Sequence, residues 1–230
     1  MWRNRIFMGV WRVLIMKVLL GLFAAVVVLL PGVASAYVIS YTTSTPIGST
    51  LTDWTGTLAF QKFNPSFGTL NSVTIGLSGS LSTVLTITNN SGESSSGTGK
   101  TEVQMTVQDA GSNLINTPQI DLFSPDYSYS LGAGGSTTSG TLTKNGTSSD
   151  LYTAAAVLSE FTGASGNTVL NASTFTQTWL TNTGGNTFAS QVTNASLTGT
   201  VTYDYVPEPA TMAMLGLGAL GLAARRRRSR

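Results

Sequence analysis

Alternating apolar and polar positions recur along this chain and predict short β-strands. In Ser72–Leu81 and Ser196–Tyr205 nearly every second residue is apolar or small, which is the period of a strand with one buried face. The other strand candidates are Thr55–Phe60, Val84–Thr88, Thr101–Val107, Ile120–Phe123, Tyr127–Leu131, Gly140–Thr143, Thr168–Leu170 and Phe175–Leu180. Short strands separated by turn signals every ~8–12 residues predict an all-β fold, an antiparallel β-sandwich that is jelly-roll-like or immunoglobulin-like.

Three local features refine this prediction. Val84–Thr88 and Thr101–Val107 form an expected hairpin around Asn89–Gly99, whose Gly, Ser and Asn content is typical of a loop. Ala154–Leu158 is compatible with a short helix or with a buried strand. Phe175–Leu180 places Phe175, Gln177 and Trp179 on one face of its strand.

The first 36 residues have the pattern of a secretory signal peptide and predict an N-terminal signal helix that precedes the sandwich. Basic residues precede an uncharged apolar core, Val18–Leu30, and Ala34-Ser35-Ala36 supplies a small-residue cleavage site. We therefore expect export through the Sec translocon, cleavage by signal peptidase after Ala36, and a mature chain that begins at Tyr37 and folds as one domain over residues 37–205.

The last 25 residues combine three elements in order. Val206, Pro207, Glu208 and Pro209 form a break, since proline fixes φ and lacks an N–H. Ala210–Ala224 is an uncharged run of 15 residues and predicts a C-terminal membrane helix, somewhat shorter than the ~20 residues that usually span a membrane. The basic end consists of Arg225, Arg226, Arg227, Arg228, Ser229 and Arg230. The positive cluster predicts a cytoplasmic C-terminus.

This tail resembles the PEP-CTERM sorting signal over residues 206–230. The resemblance implies an exported protein of a Gram-negative bacterium that makes exopolysaccharide. It also implies a membrane protease or transpeptidase, an exosortase, that recognises the Pro-Glu-Pro motif and removes the helix. The protein would then be anchored in the inner membrane only transiently, before it reaches the cell surface or the extracellular space. The alternative is an ordinary tail anchor.

The net charge of the body differs from that of the whole chain. Residues 37–206 contain three lysines and nine acids, a net charge of −6, whereas the whole chain carries +2. Since a nucleic-acid interface needs a basic patch, we expect no nucleic-acid partner. Ser and Thr supply 59 of these 170 residues, which favours strands over helices. The chain has no cysteine and therefore no disulfides.

The absence of His and Cys from the chain excludes Ser-His-Asp triads, Cys nucleophiles and Cys/His zinc sites. Two facing carboxylates would suffice for a glycosidase, and carboxylates also suit Ca²⁺. Asp121 with Asp126, and Asn145 with Asp150, are the candidate calcium pairs. The acids of the body are Asp53, Glu93, Glu102, Asp109, Asp121, Asp126, Asp150, Glu160 and Asp204. No cofactor is predicted.

A second resemblance concerns the body. The segments Asp53–Leu58, Lys62–Leu70 and Val73–Ile75 resemble the opening of the choice-of-anchor E family, with departures at Asn64 and Phe67. Residues 160–167 resemble a later Phe-Thr-Gly stretch of that family. The resemblance implies an exported β-sandwich with no known catalytic activity.

The segment from Phe63 to Leu70 can also be interpreted from its residues alone. Pro65 and Gly68 suit a turn, and Phe63, Phe67 and Leu70 can plug one end of the sandwich. The alternative is a ligand-binding loop.

Three hypotheses about function follow. The first is a non-enzymatic surface or matrix protein associated with exopolysaccharide or biofilm. The second is a carbohydrate-binding module, which an exposed row of aromatic residues would favour. The third is a glycan-active enzyme, which needs two facing buried carboxyls. The aromatic candidates for sugar stacking are Trp54, Tyr127, Tyr129, Tyr152, Trp179, Tyr203 and Tyr205.

Overall fold

The computed structural model describes residues 35–111 and 118–208, together with Gly216 and Gly218. The chain divides into a unit of residues 1–35, of which only Ser35 is described, and a unit of residues 36–230. The predicted signal helix lies outside the described residues. So does the predicted membrane helix, except that Gly216 and Gly218 are both helical. Within the described ranges no helix combines the length and apolar character needed to cross a membrane.

Residues 36–111 and 118–208 consist mostly of strands, with one short helix and one 3₁₀ turn. The strands are β1 (Tyr37–Thr42), β2 (Ile47–Leu51), β3 (Thr55–Gln61), β4 (Thr69–Asn89), β5 (Ser95–Asp109), β6 (Gln119–Phe123), β7 (Tyr127–Leu131), β8 (Ser136–Tyr152), β9 (Asn167–Leu180) and β10 (Thr187–Val206). The helix α1 is Ala155–Glu160, and the 3₁₀ turn is Pro65–Phe67.

The strands form two antiparallel sheets, and this confirms the predicted all-β sandwich. Sheet A has the order β1-β10-β4-β8, and β2 also pairs with β10. Sheet B has the order β3-β9-β5-β6, and β7 also pairs with β5. From β2 onwards the chain changes sheet at every step except from β5 to β6 and from β6 to β7, and both β6 and β7 pair with β5. This alternation is the connectivity of a jelly roll; in an immunoglobulin-like sandwich several successive strands pair within one sheet.

Several predicted strands are parts of longer ones. Strand β4 joins two predicted segments into 21 residues, and β9 and β10 likewise extend beyond their predicted cores. The alternation in β4 was predicted correctly, since Val73, Ile75, Leu77 and Leu81 are all buried. Helix α1 resolves the ambiguity at residues 154–158 in favour of a helix. Strands β1 and β2 were not predicted, because they are short and mostly exposed.

The predicted hairpin between residues 84–88 and 101–107 is wrong. Strand β4 lies in sheet A and β5 lies in sheet B, so the chain crosses from one sheet to the other between them. The loop is also shorter than predicted, because β5 already begins at Ser95. Asn89 explains the crossing: it is fully buried, and its side-chain amide donates to the carbonyl oxygens of Glu93 (2.6 Å) and Gly132 (3.0 Å). A buried side chain thus holds the β4–β5 connection against the turn between β7 and β8 and satisfies a backbone carbonyl in each.

The core has two apolar clusters separated by a polar layer. The main cluster joins both sheets around Phe60, Ile75 and Val201, and the smaller one contains Ile87, Tyr129 and Leu131. Between them the buried Thr83 hydroxyl lies 2.7 Å from that of Thr193, and a hydroxyl of β5 lies within 3.2 Å. Each hydroxyl of this layer therefore has a partner, which removes most of the cost of its burial.

Candidate functional site

The predicted sorting motif starts where the sandwich ends. Val206 is the last residue of β10 and pairs with Thr69 of β4. Pro207 is half-buried and Glu208 is exposed. Pro209, Arg225, Arg226, Arg227, Arg228 and Arg230 lie outside the described residues, as does Ala34 of the predicted cleavage site. No spacer separates the last strand from the motif.

A tight turn lies directly against this junction. The Ser66 backbone N–H donates to Asn64 Oδ1 over 2.9 Å, and Pro65 begins the 3₁₀ turn. Gly68 then has φ of +146°, a conformation that other residues rarely adopt. A Cβ atom at Gly68 would lie 2.1 Å from the carbonyl oxygen of Val206 and 2.7 Å from Cα of Pro207. The turn and the motif are therefore in backbone-to-backbone contact.

Aromatic rings fill the end of the sandwich beneath the turn, as the sequence predicted. Phe63 is 1% exposed, and its ring centroid lies 5.1 Å from that of Tyr205 and 5.7 Å from that of Tyr203. Phe67 lies 6.5 Å from Tyr205. The Tyr203 hydroxyl donates to the Gln61 carbonyl over 2.7 Å, and burial, with a smaller effect from a neighbouring tyrosine, raises the pKa of Tyr203 above its usual value. The segment thus forms a plug.

The predicted start of the mature chain lies at the same end. Tyr37 is the first residue of β1 and pairs with Tyr205 of β10, with ring centroids 6.2 Å apart. Ala36, which precedes it, is exposed. The predicted signal-peptide cleavage site and the sorting motif therefore adjoin the paired ends of two neighbouring strands of sheet A.

A second candidate site is the outer face of sheet B. Three large aromatic side chains lie exposed there: Phe175 (59%), Trp179 (50%) and Phe123 (41%). Phe175 and Trp179 share one face of β9, four residues and about 13 Å apart. Phe123 on β6 lies two strands away, because Glu102 of β5 pairs with both Phe123 and Gln177. Together the three rings border a polar centre.

Hydrogen bonds fix the side chains in this centre. Glu102 Oε2 accepts a hydrogen bond from Trp179 Nε1 over 2.7 Å and another from Gln177 Nε2. Lys100 Nζ lies 5.1 Å from the centroid of the Phe123 ring, within cation–π range. The indole is therefore held in place although half of its surface is exposed.

A shallow hollow of about 450 Å³ continues the face along β9. Hydroxyl and amide side chains line most of it, among them Thr57, Thr106, Gln108, Asn171 and Ser173. From Asn171 to Trp179 the outward positions of β9 span eight residues, or about 26 Å. The face thus offers hydrogen-bonding groups at one end and aromatic rings at the other.

The other predicted aromatic candidates do not join this face. Tyr129, Tyr152 and Tyr203 are buried, whereas Trp54, Tyr127 and Tyr205 are half-buried. Trp179 alone of that set lies on the face. Phe175 and Gln177 were detectable from the alternation in β9, but Phe123 and Glu102 were not, since their positions depend on how β5 pairs with its neighbours.

The predicted calcium pairs gain no support from the structure. Asn145 and Asp150 lie five residues apart on β8, hence about 16 Å apart on opposite faces. Both carboxylate oxygens of Asp121 accept hydrogen bonds from Gln119 Nε2 at 2.9 Å, and Asp126 is exposed in the connection between β6 and β7. The residues that the structure describes contain no group of three or more acids that could hold a metal ion.

The acids of the body are spread over separate strands and loops. Among the described acids only Asp109 is buried. Asp53 Oδ1 accepts a hydrogen bond from the Thr176 backbone N–H over 3.1 Å, so this acid fixes a loop. The hollow on sheet B is lined by no carboxylate. A facing pair of buried carboxyls is therefore absent from the described residues.

Comparison with known proteins gives little for the body of the chain. No curated protein matches it. Solved structures of the Gt strain, the Gx strain and a mutant VP2 protein of infectious bursal disease virus align at 10%, 12% and 10% identity, with TM-scores of 0.14, 0.13 and 0.13. The alignments cover 85%, 84% and 83% of this chain but only 51%, 49% and 48% of the viral chains. This chain thus spans about half the length of those proteins, and the TM-scores are too low to indicate a shared fold.

The tail gives a specific match. Residues 206–228 match the PEP-CTERM protein-sorting motif. This signal implies export, processing by an exosortase and sorting across the membrane to the cell surface. The chain therefore carries a PEP-CTERM sorting signal that begins at the last residue of β10.

Proposed function

We propose that this chain is a non-enzymatic surface or matrix protein whose jelly roll is delivered outside the cell and associates with exopolysaccharide. The observation that carries the proposal is the sorting signal, which begins where the last strand ends. Removal of everything beyond the motif would take away no strand and no buried side chain of the described sandwich. The tail thus acts as a temporary anchor, and the sandwich is the product.

The first prediction concerns the mature chain. Protein collected from the surface or medium of an exosortase-bearing host should begin at Tyr37 and should lack Arg225–Arg230. Intact-mass measurement tests both ends at once, and a host without its exosortase is the control. Recovery of the terminal arginines at full stoichiometry from the normal host would refute processing.

A second candidate function is carbohydrate binding by the outer face of sheet B, and the exposed aromatic residues favour it. Pyranose rings stack their C–H faces on aromatic rings, while their hydroxyls bond to amide, hydroxyl and carboxylate groups. Phe175 and Trp179 supply the first kind of surface, and the hollow beside them supplies the second. A track of about 26 Å suits a linear polysaccharide better than a single sugar.

Trp179→Ala tests this function. The change removes a stacking surface of a type that often dominates binding, so we expect the affinity for the host's purified exopolysaccharide to fall about tenfold, or about 1.4 kcal/mol. Affinity electrophoresis or calorimetry measures the change.

Phe188→Ala is the matched control, because Phe188 is a similarly exposed aromatic residue (60%) on β10 in sheet A. It should bind the polysaccharide as well as the unchanged protein does. Equal binding by both variants would refute the assignment of the face. Concentration-dependent dimerisation that only Trp179→Ala abolishes would instead assign the face to a second copy of the chain.

A further inference from the structure

The end of β10 is enclosed on both edges up to the sorting motif. Tyr205 pairs with Tyr37 on one side and with Leu70 on the other, and Val206 pairs with Thr69. Proteases commonly bind substrates as extended chains whose backbone groups pair with the enzyme, in the manner of an added strand. While they remain in the sheet, Tyr205 is covered on both edges and Val206 on its β4 edge, so neither is free to pair with an enzyme as an added strand on those edges.

The segment Phe63–Gly68 holds this end in place by one close backbone approach and two ring contacts. Gly68 lies under Val206 and Pro207 at a distance that leaves no room for a Cβ atom. Phe67, which is 41% exposed, has its ring centroid 6.5 Å from that of Tyr205, with the two ring planes tilted by 40°. The buried Phe63 ring packs against the same tyrosine. The group Phe63, Phe67, Gly68 and Tyr205 is called the clamp below.

We propose that the clamp positions the sorting motif and sets how fast the folded chain is processed. In the closed state the sandwich withholds Tyr205 on both edges and Val206 on its β4 edge, and Glu208 is exposed. Processing of the folded chain then requires local opening of the last two residues of β10. Gly68 and Phe67 are positioning residues for the sorting reaction. The inference rests on the proposed processing at the motif.

The energetics of such an opening are those of a fraying strand end. Strand ends open with free energies well below that of global unfolding, so the sandwich stays folded while its last residues detach. If opening precedes cleavage in a rapid equilibrium, the processing rate is proportional to the open population. Loosening the clamp therefore increases the rate without any change in the motif itself.

Gly68→Ala and Phe67→Ala test the clamp in the full chain in its exosortase-bearing host. A Cβ at residue 68 meets backbone atoms of Val206 and Pro207, so Gly68→Ala should detach the strand end and speed loss of the tail about tenfold, equivalent to about 1.4 kcal/mol of clamp stability. Phe67→Ala removes one ring contact at a partly exposed site and should give a smaller acceleration. Pulse–chase labelling followed by mass analysis gives the rates, and protease resistance of the sandwich confirms folding.

Gly140→Ala is the matched control. Gly140 also has positive φ (+69°), but a Cβ there would have no atom within 4 Å, and the residue lies on β8. It should process at the rate of the unchanged chain. Equal or slower processing of folded Gly68→Ala and Phe67→Ala would overturn the clamp. Retention of residues 225–230 by the unchanged chain would instead defeat the proposed sorting itself, and the clamp with it.

Discussion

Replacing Phe60 with alanine should lower the free energy of unfolding by about 3–5 kcal/mol, the range for loss of a fully buried phenylalanine. Phe60 on β3 is 0% exposed and belongs to the main core cluster that joins the two sheets. Its ring fills a space that Gly199 of sheet A leaves open, since a Cβ at Gly199 would lie 2.6 Å from Phe60 Cζ. Urea unfolding of the exported protein, followed by tryptophan fluorescence, measures the loss.

The packing of Phe60 against Gly199 allows a more specific prediction, which concerns substitutions at both residues. Gly199→Ala alone should destabilise by about 1–3 kcal/mol through overpacking. Combined with Phe60→Leu, it should cost less than the sum of the single changes by at least about 0.5 kcal/mol, because the smaller side chain makes room for the new methyl group. Val192→Ala, at an exposed position of the same strand, should change stability by no more than about 0.5 kcal/mol. Additive losses would show that the two residues do not pack as described.

The strands and their buried faces were largely predictable because alternation is a local property. In β10, Leu197, Val201 and Tyr203 are separated by even numbers of residues and therefore share one face of the strand. All three are buried. The plug at Phe63 was predictable for a related reason. Aromatic residues flank the turn that contains Pro65 and Gly68. Their rings can be buried most readily at the nearest apolar end of the sandwich.

The path of the chain between sheets was not predictable in this way. A hairpin and a crossing from sheet to sheet share one pattern, two alternating segments around a polar loop. The difference here depends on Asn89, whose buried amide reaches the Gly132 carbonyl 43 residues further along the chain. The pattern of residues 84–107 therefore cannot reveal that contact, because Gly132 lies outside this segment.

The candidate sites also differ in how far the sequence alone predicts them. The sorting motif is a contiguous string, so the sequence alone identified it. The aromatic face is assembled from β5, β6 and β9, and only the Phe175, Gln177 and Trp179 series is visible on one strand. The contact of Gly68 with Val206 joins residues far apart in sequence, and the turn residues alone do not reveal their relation to the motif.

Glu208→Gln should slow processing of the tail on the order of 30-fold or more. The substitution keeps the shape of the side chain and removes its charge. Loss of one partner from a hydrogen-bonded charge pair costs about 2–5 kcal/mol, and about 2 kcal/mol already corresponds to that factor. Glu208 is exposed beyond the end of β10, so the sandwich should fold with unchanged stability. Intact-mass analysis of surface and membrane fractions should find the arginine tail retained in the membrane.

Glu93→Gln is the matched control for this change, because Glu93 is an exposed acid in the loop between β4 and β5 at a distance from the motif in the sequence. It should process like the unchanged chain. The pair also separates recognition from opening: Glu208→Gln should stay slow when combined with Gly68→Ala, since a loosened strand end cannot replace a charge that the exosortase recognises. Normal sorting of Glu208→Gln would mean that the Pro-Glu-Pro motif is not what directs this chain. The apolar run and the arginine cluster would then act as an ordinary tail anchor.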